Sequence, residues 1–362
     1  MSSKKIRILN IGLSSTLGGT EAFTMSLYKH VKDRGVVFSF LNTNSTRMMY
    51  EDYYQKEGLE VFKVDGSFKS LRSFLKNNIS KFDYILVHIN SIPKLYYLSF
   101  LHNKNVRTIA ISHVANIDIA RNFKGFIRRT IYSLRRFSYK YLFDIKLAVS
   151  DVAGKFVFGK KSKFKIIENY VDVSEYKFDM KDRRDIRSSL GIDESTITIG
   201  HVGRMAPVKN HLYLIDVFNE YHKMQPNSHL IMVGDGELLN IIKSKIHNLS
   251  LDKCTSTIVG ENKPNKYYSS FDLFLFPSLH ESYGRVVLEA QASGLSCFIS
   301  DTIPSIVDKT KLVQFFDINN EPKIVANILM NASMNPLEKR NGYDDILDKN
   351  QKNDSFLQLL VK

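Results

Sequence analysis

Residues 197–210 read ITIGHVGRMAPVKN, and this stretch decides the fold class of the second half of the chain. Its first six residues are mostly β-branched and resemble a buried strand, and a glycine loop with a proline leads into an amphipathic segment at 211–224. Residues 8–21 follow the same plan, with a strand pattern, the glycine pair Gly18-Gly19 and a helical pattern. Each half therefore opens as a strand, a glycine loop and a helix, which is typical of α/β domains.

Short β-branched segments alternate with longer amphipathic ones on both sides of this stretch. The predicted strands are 6–12, 36–41, 84–89, 107–112 and 145–150 in the first half, and 196–203, 229–234, 255–260, 271–276 and 295–300 in the second. Such alternation predicts parallel sheets with helices on both faces. Because 362 residues exceed the roughly 250–300 that one hydrophobic core supports, we predict two Rossmann-like, doubly wound domains.

The predicted domain boundary lies in residues 171–189, which are rich in Lys, Arg and Asp and have little hydrophobic periodicity. This composition is typical of a linker that is followed by a short helix. We therefore assign residues 1–172 to the first domain and residues 173–339 to the second.

Charge is divided unevenly between the two halves. Residues 1–170 hold 29 Lys and Arg against 12 Asp and Glu, whereas residues 171–362 hold 22 against 25. We expect a large anionic partner to meet the first half. The only two cysteines, Cys254 and Cys297, lie in apolar segments, and no run approaches the roughly 20 apolar residues of a transmembrane helix. These features favour a cytoplasmic location.

The loop at 203–210 places Arg204 and Lys209 five residues apart, just before a helix. Anions bind to open α/β sheets at such loops, beyond the carboxyl ends of the strands. Arg grips two oxygens at once, Lys supplies a point charge and the helix dipole adds to both, so the pair suits a diphosphate. Two solvated surface charges are the alternative.

Two further glycine loops follow predicted strands, Gly18-Gly19 in the first half and Gly234-Asp235-Gly236 in the second. Glycine lets a backbone approach a ligand closely. Ordinary tight turns are the alternative for both loops, because the GxGxxG spacing of dinucleotide-binding proteins is absent.

Glu281 and Glu289 lie eight residues apart, the first at the end of a loop after a predicted strand and the second in the following helix. Eight residues do not return to the same helical face, so we expect the two carboxylates to act separately. Each carboxylate accepts two hydrogen bonds from a vicinal diol, and the backbone N–H groups of Ser282, Tyr283 and Gly284 between them suit sugar or phosphate oxygens. Solvated acidic residues are the alternative.

Together, the Glu-x7-Glu motif from Glu281 to Glu289, the Gly-Arg-x4-Lys loop, the Gly-Asp-Gly loop and the N-terminal Gly-Gly pair resemble a retaining glycosyltransferase of family 4, with the GT-B fold. The segment 291–304 is similar to bacterial enzymes that assemble capsular and exopolysaccharide repeat units. The resemblance implies transfer of a hexose or N-acetylhexosamine from a nucleotide-sugar, UDP-sugars first, to a glycan or lipid-linked acceptor. It also implies that a helix within 340–362 returns to the first domain.

The resemblance implies a role for each motif residue. The donor would lie between the domains, with Arg204 and Lys209 on its diphosphate, Glu289 on the ribose hydroxyls and Glu281 on the sugar. His113, which follows a predicted strand, matches the family's histidine near the transferred sugar, although Ile111 stands where many relatives have a second histidine. A structural histidine is the alternative. Since no Asp-x-Asp pair occurs in the sequence, we expect no metal and no other cofactor.

Residues 121–146 hold eight Lys or Arg interleaved with apolar residues. On a helix, the basic residues Arg128, Arg129, Arg135, Arg136 and Lys140 fall on one side. The other side is apolar and holds Phe126, Ile127, Ile131, Leu134, Phe137, Tyr141 and Leu142. We expect this basic face to attach the protein to an anionic membrane, at the inner face of the cell membrane. A core helix with a solvated basic face is the alternative.

Three other functions would each explain part of the sequence. A nucleic-acid-binding protein would explain the pI of about 9.4, but no helix-turn-helix, zinc-finger or RNP pattern occurs. Another GT-B enzyme, such as a sugar-nucleotide epimerase or a phosphorylase, would share the architecture without a basic acceptor domain. A catalytically inactive relative would not need Arg204, Lys209, Glu281 and Glu289 together.

Overall fold

The computed structural model describes residues 5–16, 18–91, 98, 105–116, 123–167, 169, 171–261, 264–332, 334–341, 343, 347 and 355–360, without the side chains of 123–129, 140 and 355. The chain divides into two compact units. The N-terminal unit comprises Met1–Tyr170 and Asp354–Lys362, and the C-terminal unit comprises Val171–Asn353. The sequence placed the division after residue 172, two residues later.

The N-terminal unit is built, within the described residues, on a seven-stranded sheet with the order β3-β2-β1-β4-β5-β6-β7. Every paired neighbour in it is parallel. Its strands are β1 (Ile6–Ile11), β2 (Val36–Asn42), β3 (Val61–Lys63), β4 (Tyr84–Ile89), β5 (Arg107–Ser112), β6 (Ile145–Ala148) and β7 (Lys165–Ile166). The central strands are buried along most of their length, which explains their runs of β-branched residues.

The described helices of this unit are α1 (Gly19–Val31), α2 (Glu51–Lys56), α3 (Phe68–Asn78), α4 (Phe123–Leu142), α5 (Asp151–Phe158) and, from the end of the chain, α12 (Ser355–Leu360). Phe356 of α12 is fully buried, and Tyr84 Oη donates to the carbonyl oxygen of Leu360 at 2.8 Å. These contacts attach α12 to the first sheet.

Helix α4 packs differently from the sequence-based expectation. Its apolar side chains Ile131, Leu134, Phe137 and Tyr141 are exposed, whereas Tyr139 is buried. The guanidinium of Arg136 lies 4.2 Å from the ring centre of Phe156. Leu142, at the end of the same apolar side, is buried. Four residues of the apolar side therefore face solvent, and Arg136 of the basic side packs on α5. No helix in the described part of the chain has the length and apolar character of a membrane span.

The C-terminal unit contains, in its described residues, a six-stranded sheet with the order β10-β9-β8-β11-β12-β13, again with parallel neighbours. Its strands are β8 (Ile197–Val202), β9 (Ser228–Val233), β10 (Thr255–Ile258), β11 (Leu273–Phe276), β12 (Ser296–Ser300) and β13 (Val313–Phe316). The chain runs outward from β8 to β10 and then restarts at β11 on the other side of β8. The strand order therefore reverses between β8 and β11.

The described helices of this unit are α6 (Met180–Ser189), α7 (His211–Met224), α8 (Leu239–Asn248), α9 (Tyr267–Ser270), α10 (Arg285–Ala292) and α11 (Pro322–Met330). Helix α6 lies where the sequence predicted a short helix after the linker. Its Arg183 and Arg187 are buried and form ion pairs with Asp272 at 2.9 and 3.3 Å. Pairing with Asp272, rather than an apolar face, holds this helix on the domain.

The part of the chain that joins the N-terminal unit begins later than the sequence predicted, because Arg340 is bound within the C-terminal unit. Its buried guanidinium donates to the carbonyl oxygens of Phe271, Tyr268 and Ser293 at 2.7–3.0 Å. These bonds fix residue 340 in the C-terminal unit, so the part of the chain that joins the N-terminal unit begins at Asp354 rather than at 340.

Candidate active site

The loops after β8, β9 and β11 lie at the same edge of the second sheet, because their strands are parallel neighbours. Ligands of open α/β sheets bind beyond the carboxyl ends of strands, at the place where the strand order reverses. That place lies between β8 and β11. The loop at 203–210 follows β8, and the loop at 277–284 follows β11.

Lys209 and Glu281 meet across this reversal point. Lys209 Nζ forms an ion pair with Glu281 Oε1, and both side chains are largely buried, with 19% and 15% exposed. Lys209 Nζ also lies 4.8 Å from the ring centre of Phe276, at the end of β11. An ammonium group and a carboxylate from two different loops are thus brought together where sequence analysis placed a diphosphate and a sugar.

Backbone and hydroxyl contacts tie these two loops together. The backbone N–H of Leu279 donates to the carbonyl oxygen of Val208 at 2.8 Å. Ser278 Oγ lies 2.9 Å from that same carbonyl oxygen and 2.9 Å from Glu281 Oε1. Asn210 ends the first loop in the left-handed region at φ 57° and leads into α7. Lys209 is therefore presented from a constrained turn rather than from a flexible loop.

Glu289 is buried in α10, with both carboxylate oxygens engaged. Oε2 accepts a hydrogen bond from Tyr268 Oη at 2.7 Å, and Oε1 accepts one from Arg285 Nε at 3.1 Å. Burial, and to a smaller extent the neighbouring Glu289, raises the pKa of Tyr268 well above its ordinary value. This phenol therefore keeps its proton. Each oxygen retains a second lone pair for a ligand hydroxyl.

The residues between the two glutamates contribute mainly through their backbone. Tyr283 is buried, so its ring belongs to the core rather than to an open binding surface. Ser282 is half-buried. Gly284 precedes α10 at φ 90°, a left-handed conformation that disfavours other residues. Within this turn the Val287 N–H donates to the Gly284 carbonyl oxygen at 2.9 Å.

The Gly234-Asp235-Gly236 loop packs against the loop after β8. A Cβ atom at Gly234 would lie 2.0 Å from the carbonyl oxygen of Gly203, and one at Gly236 would lie 2.5 Å from that of Met205. These glycines therefore accommodate a neighbouring backbone, whereas the sequence suggested close approach to a ligand. Arg204, whose side chain is 74% exposed, pairs with Glu237 of this loop at 3.2 Å.

Two buried histidines lie behind Lys209 and were not identified from the sequence. The rings of His201 and His211 are 4.6 Å apart, and His201 Nδ1 bonds to the carbonyl oxygen of Leu275 at 2.9 Å. Burial lowers the pKa of His211 to about 4 and that of His201 well below its ordinary value. Both rings are therefore neutral near pH 7 and leave Lys209 as the local cation.

The remaining candidates belong to the N-terminal unit. His113 follows β5, its backbone N–H donates to the carbonyl oxygen of Ile89 at 2.9 Å, and its ring packs edge-on against Phe23. Gly18 is extended and precedes α1, and Gly19 begins that helix with open space where a Cβ would be. Leu17, beside this pair, lies outside the described residues.

Comparison with known proteins identifies the type of enzyme. Residues 182–328 match the model of the family Glycosyl transferases group 1. The chain is 25% identical over 320 residues to the putative glycosyltransferase EpsF of Bacillus subtilis, covering 85% of this chain and 82% of that protein. It is 31% identical over 147 residues to the Escherichia coli UDP-Gal:alpha-D-GlcNAc-diphosphoundecaprenol alpha-1,3-galactosyltransferase, covering 38% and 37% of the two chains.

Solved structures agree on the architecture. The structure of Anabaena Alr3699/HepE in complex with UDP and glucose is similar with a TM-score of 0.75 and 17% identity, covering 98% of this chain and 99% of that one. The lipopolysaccharide glycosyltransferase WaaG is similar with a TM-score of 0.66 and 14% identity, covering 98% of each chain. The chain is therefore a glycosyltransferase with the GT-B fold, and its C-terminal unit carries the match to the group 1 family.

Proposed function

We propose that this enzyme transfers a hexose or N-acetylhexosamine from a UDP-sugar, with retention of configuration, to a glycan or lipid-linked acceptor of a cell-surface polysaccharide. The observation that carries the proposal is the meeting of Lys209 and Glu281 where the strand order reverses. A cation there suits a diphosphate, and a carboxylate beside it suits the hydroxyl groups of the attached sugar. The Escherichia coli relative, named for UDP-Gal and a diphosphoundecaprenol acceptor, supports both substrate classes.

The roles of the side chains follow from their contacts. A bound diphosphate competes with Glu281 for Lys209, and the released carboxylate then accepts hydrogen bonds from the sugar. Arg204, which is exposed beside Glu237, adds a second cation for the phosphates. Glu289 accepts hydrogen bonds from the ribose hydroxyls, while Tyr268 and Arg285 hold its position. The backbone at 282–284 binds further donor oxygens, and Gly236 lets the loop after β9 pack against Met205 of the loop that carries Lys209. Gly18, Gly19 and His113 are the candidate donor contacts of the N-terminal unit.

Stabilisation of the leaving group is the main source of catalysis in this proposal. Breaking the bond between the sugar and the diphosphate places negative charge on the departing phosphate. Lys209 stabilises that charge from a largely buried position, where electrostatic interactions are stronger than in water. The neutral His201 and His211 add no competing charge near the cation.

The donor is tested by screening the full-length chain against UDP-, GDP-, ADP- and TDP-sugars. We expect UDP-sugars to raise the melting temperature, and the stabilising sugar to be transferred with retained anomeric configuration in an NMR assay of the product. Transfer with inversion, or stabilisation only by another nucleotide, would contradict the corresponding part of the proposal. Release of an epimer or a sugar phosphate without acceptor would instead indicate an epimerase or a phosphorylase.

We also propose that transfer needs no metal ion, since the sequence lacks an Asp-x-Asp pair. The expected result is an unchanged rate after treatment with EDTA. Loss of activity that Mg²⁺ or Mn²⁺ restores would contradict this proposal.

We further propose that α4 attaches the enzyme to the inner face of the cell membrane. Leu134 and Phe137 are 67% and 66% exposed, and Ile131 and Tyr141 extend the same apolar face. Residues 1–170 of the sequence carry an excess of 17 positive charges. Exposed apolar side chains in a strongly basic unit suit the boundary between the headgroups and acyl chains of an anionic bilayer. The exposed apolar face replaces the basic face as the predicted point of contact.

The membrane proposal is tested by co-sedimentation with vesicles of phosphatidylcholine alone or with phosphatidylglycerol. We expect binding to anionic vesicles, and a large loss of it in Leu134→Ser/Phe137→Ser. Ile241→Ser, at an apolar residue of the C-terminal unit that is 52% exposed, is the control and should bind normally. Equal binding to both vesicles at low salt, or normal binding of the double variant, would contradict the proposal.

A further inference from the structure

A pair of histidine rings lies at the carboxyl ends of β4 and β5. His88 Nδ1 and His113 Nε2 are 3.1 Å apart, which is hydrogen-bond distance. The ring of His113 packs edge-on against Phe23 at 5.0 Å, and that of His88 against the same ring at 6.4 Å. His88 was not identified from the sequence, because its partner is 25 residues away and on another strand.

Three elements hold His88 in place. Its backbone lies in β4, and Gly12 at the end of β1 sits so close that a Cβ atom there would be 2.5 Å from the His88 carbonyl oxygen. Its Nε2 lies 3.4 Å from Thr24 Oγ1 of α1 and 3.4 Å from Asn10 Oδ1 of β1. The position of His88 is therefore constrained both at its backbone and at its ring.

These neighbours assign the protons of the pair. Thr24 Oγ1 donates its only proton to the Thr20 carbonyl oxygen at 2.8 Å, so it meets His88 as an acceptor. Asn10 Nδ2 donates to the Ser39 carbonyl oxygen at 3.3 Å, which leaves the acceptor Oδ1 facing His88. Two acceptors at His88 Nε2 require a proton on that nitrogen.

The second step passes from His88 to His113. Burial lowers the pKa of His88 to about 3. Burial, and to a smaller extent the neighbouring His88, lowers the pKa of His113 well below its ordinary value. Both rings are therefore neutral near pH 7. A neutral imidazole has one N–H, so His88 Nδ1 is an acceptor. His113 Nε2 must then be the donor, and His113 Nδ1 is left with a free lone pair.

We propose that His88 is a positioning residue that fixes His113 in the Nε2–H tautomer, so that His113 Nδ1 accepts a hydrogen bond from a hydroxyl group of the transferred sugar. This inference rests on the proposed function in one respect, the place of His113 beside that sugar. It adds the direction of the hydrogen bond, which selects a hydroxyl donor at this position. A sugar with a hydrogen or a methoxy group at this position has no hydroxyl that could donate a hydrogen bond to His113 Nδ1.

The tautomer is tested without any substrate, by two-bond ¹H–¹⁵N NMR correlation of the full-length chain labelled at histidine nitrogens. We expect protonated Nε2 and bare Nδ1 in both His88 and His113 at neutral pH. His88→Phe keeps a ring of similar size without an acceptor, and should leave His113 as a mixture of tautomers. His88→Asn places an amide oxygen near the former Nδ1 and should restore the tautomer. A bare Nε2 in wild-type His113 would overturn the inference, whatever the variants do.

Kinetics with the donor found by the screen supply the functional readout. His88→Phe should lower kcat by about tenfold or more with little change in the donor KM, as loss of a supporting residue typically does, and His88→Asn should recover most of it. His222→Phe, a half-buried histidine bonded to Ser228 in the other unit, is the control. Unchanged kcat in His88→Phe would overturn the inference.

The role of His113 in transfer and its positioning by His88 can fail separately. The expected tautomer together with full activity in His113→Phe would show that His113 plays no part in transfer, and the positioning role would fall with that part of the proposed function. The wrong tautomer together with an inactive His113→Phe would leave the proposed function intact and overturn only the positioning by His88.

Discussion

Lys209 forms a largely buried ion pair with Glu281 at the reversal point of the second sheet. We expect Lys209→Ala to lower the transfer rate by about 10²–10³, the usual cost of one group that stabilises developing charge. Lys223→Ala removes a lysine from an exposed pair with Glu220 on α7 and should leave the rate unchanged. Steady-state kinetics of both variants make the comparison. Wild-type turnover in Lys209→Ala would contradict the proposed role.

Arg340 is a buried cation with a structural role, in contrast to the role proposed for Lys209. Arg340→Met would leave three carbonyl oxygens, those of Tyr268, Phe271 and Ser293, without their donor inside the domain. We expect a loss of about 3–5 kcal/mol in the free energy of unfolding, measured with a chemical denaturant. The neighbouring Lys339→Met, at an exposed position, should change it by less than about 0.5 kcal/mol. Similar stabilities for the two variants would contradict this account.

The sequence predicted where Lys209 and Glu281 lie, because a residue after a strand has a predictable place at the sheet edge. The partners of the other candidate site residues were not predictable in the same way. Tyr268 reaches Glu289 from 21 positions away, and His88 reaches His113 from 25. Such contacts depend on how elements pack, and a local pattern carries no signal for them.

Among the elements, the strands with long β-branched runs were predicted and three short strands were missed, although β10, with four residues and none fully buried, was predicted. The three missed strands have two to four residues, and none is buried throughout: β3, β7 and β13. Helix α6 was predicted only as a short helix after a linker, because buried arginines rather than apolar residues face the core from it. Helix α4 was predicted as a helix, but amphipathicity alone does not determine which face is buried.

Helix α12 packs on the N-terminal unit through the buried ring of Phe356. Phe356→Ala would leave a cavity where a fully buried ring packs, and we expect the N-terminal unit to lose about 3–5 kcal/mol of stability. Gln358→Ala, on the exposed side of the same helix, is the control. Hydrogen exchange followed by mass spectrometry should show faster exchange in β4, whose Tyr84 bonds to Leu360, and unchanged exchange in β8. Equal protection of β4 in both variants would show that α12 adds little.

At the scale of the whole molecule, the uneven charge makes a prediction about salt. The positive excess lies in residues 1–170, while residues 171–362 have three more acidic than basic residues. We expect binding to anionic vesicles to weaken steeply as salt rises from about 0.1 M to 1 M, because the Debye length falls from about 10 to 3 Å. Retention measured by sedimentation at several salt concentrations gives the slope. Salt-independent retention would indicate attachment by apolar contacts alone.

The interlocked loops after β8 and β9 constrain how this enzyme can change. The N–H of Met205 donates to the Asp235 carbonyl oxygen at 2.8 Å, and the N–H of Leu238 donates to the Met205 carbonyl oxygen at 3.0 Å. Between them, Gly234 and Gly236 leave no room for a side chain. A designer who exchanges one segment for that of a homologue would create steric overlap with the other. Grafting a new substrate preference onto this scaffold therefore calls for transplanting residues 203–210 and 234–238 together, as one cassette.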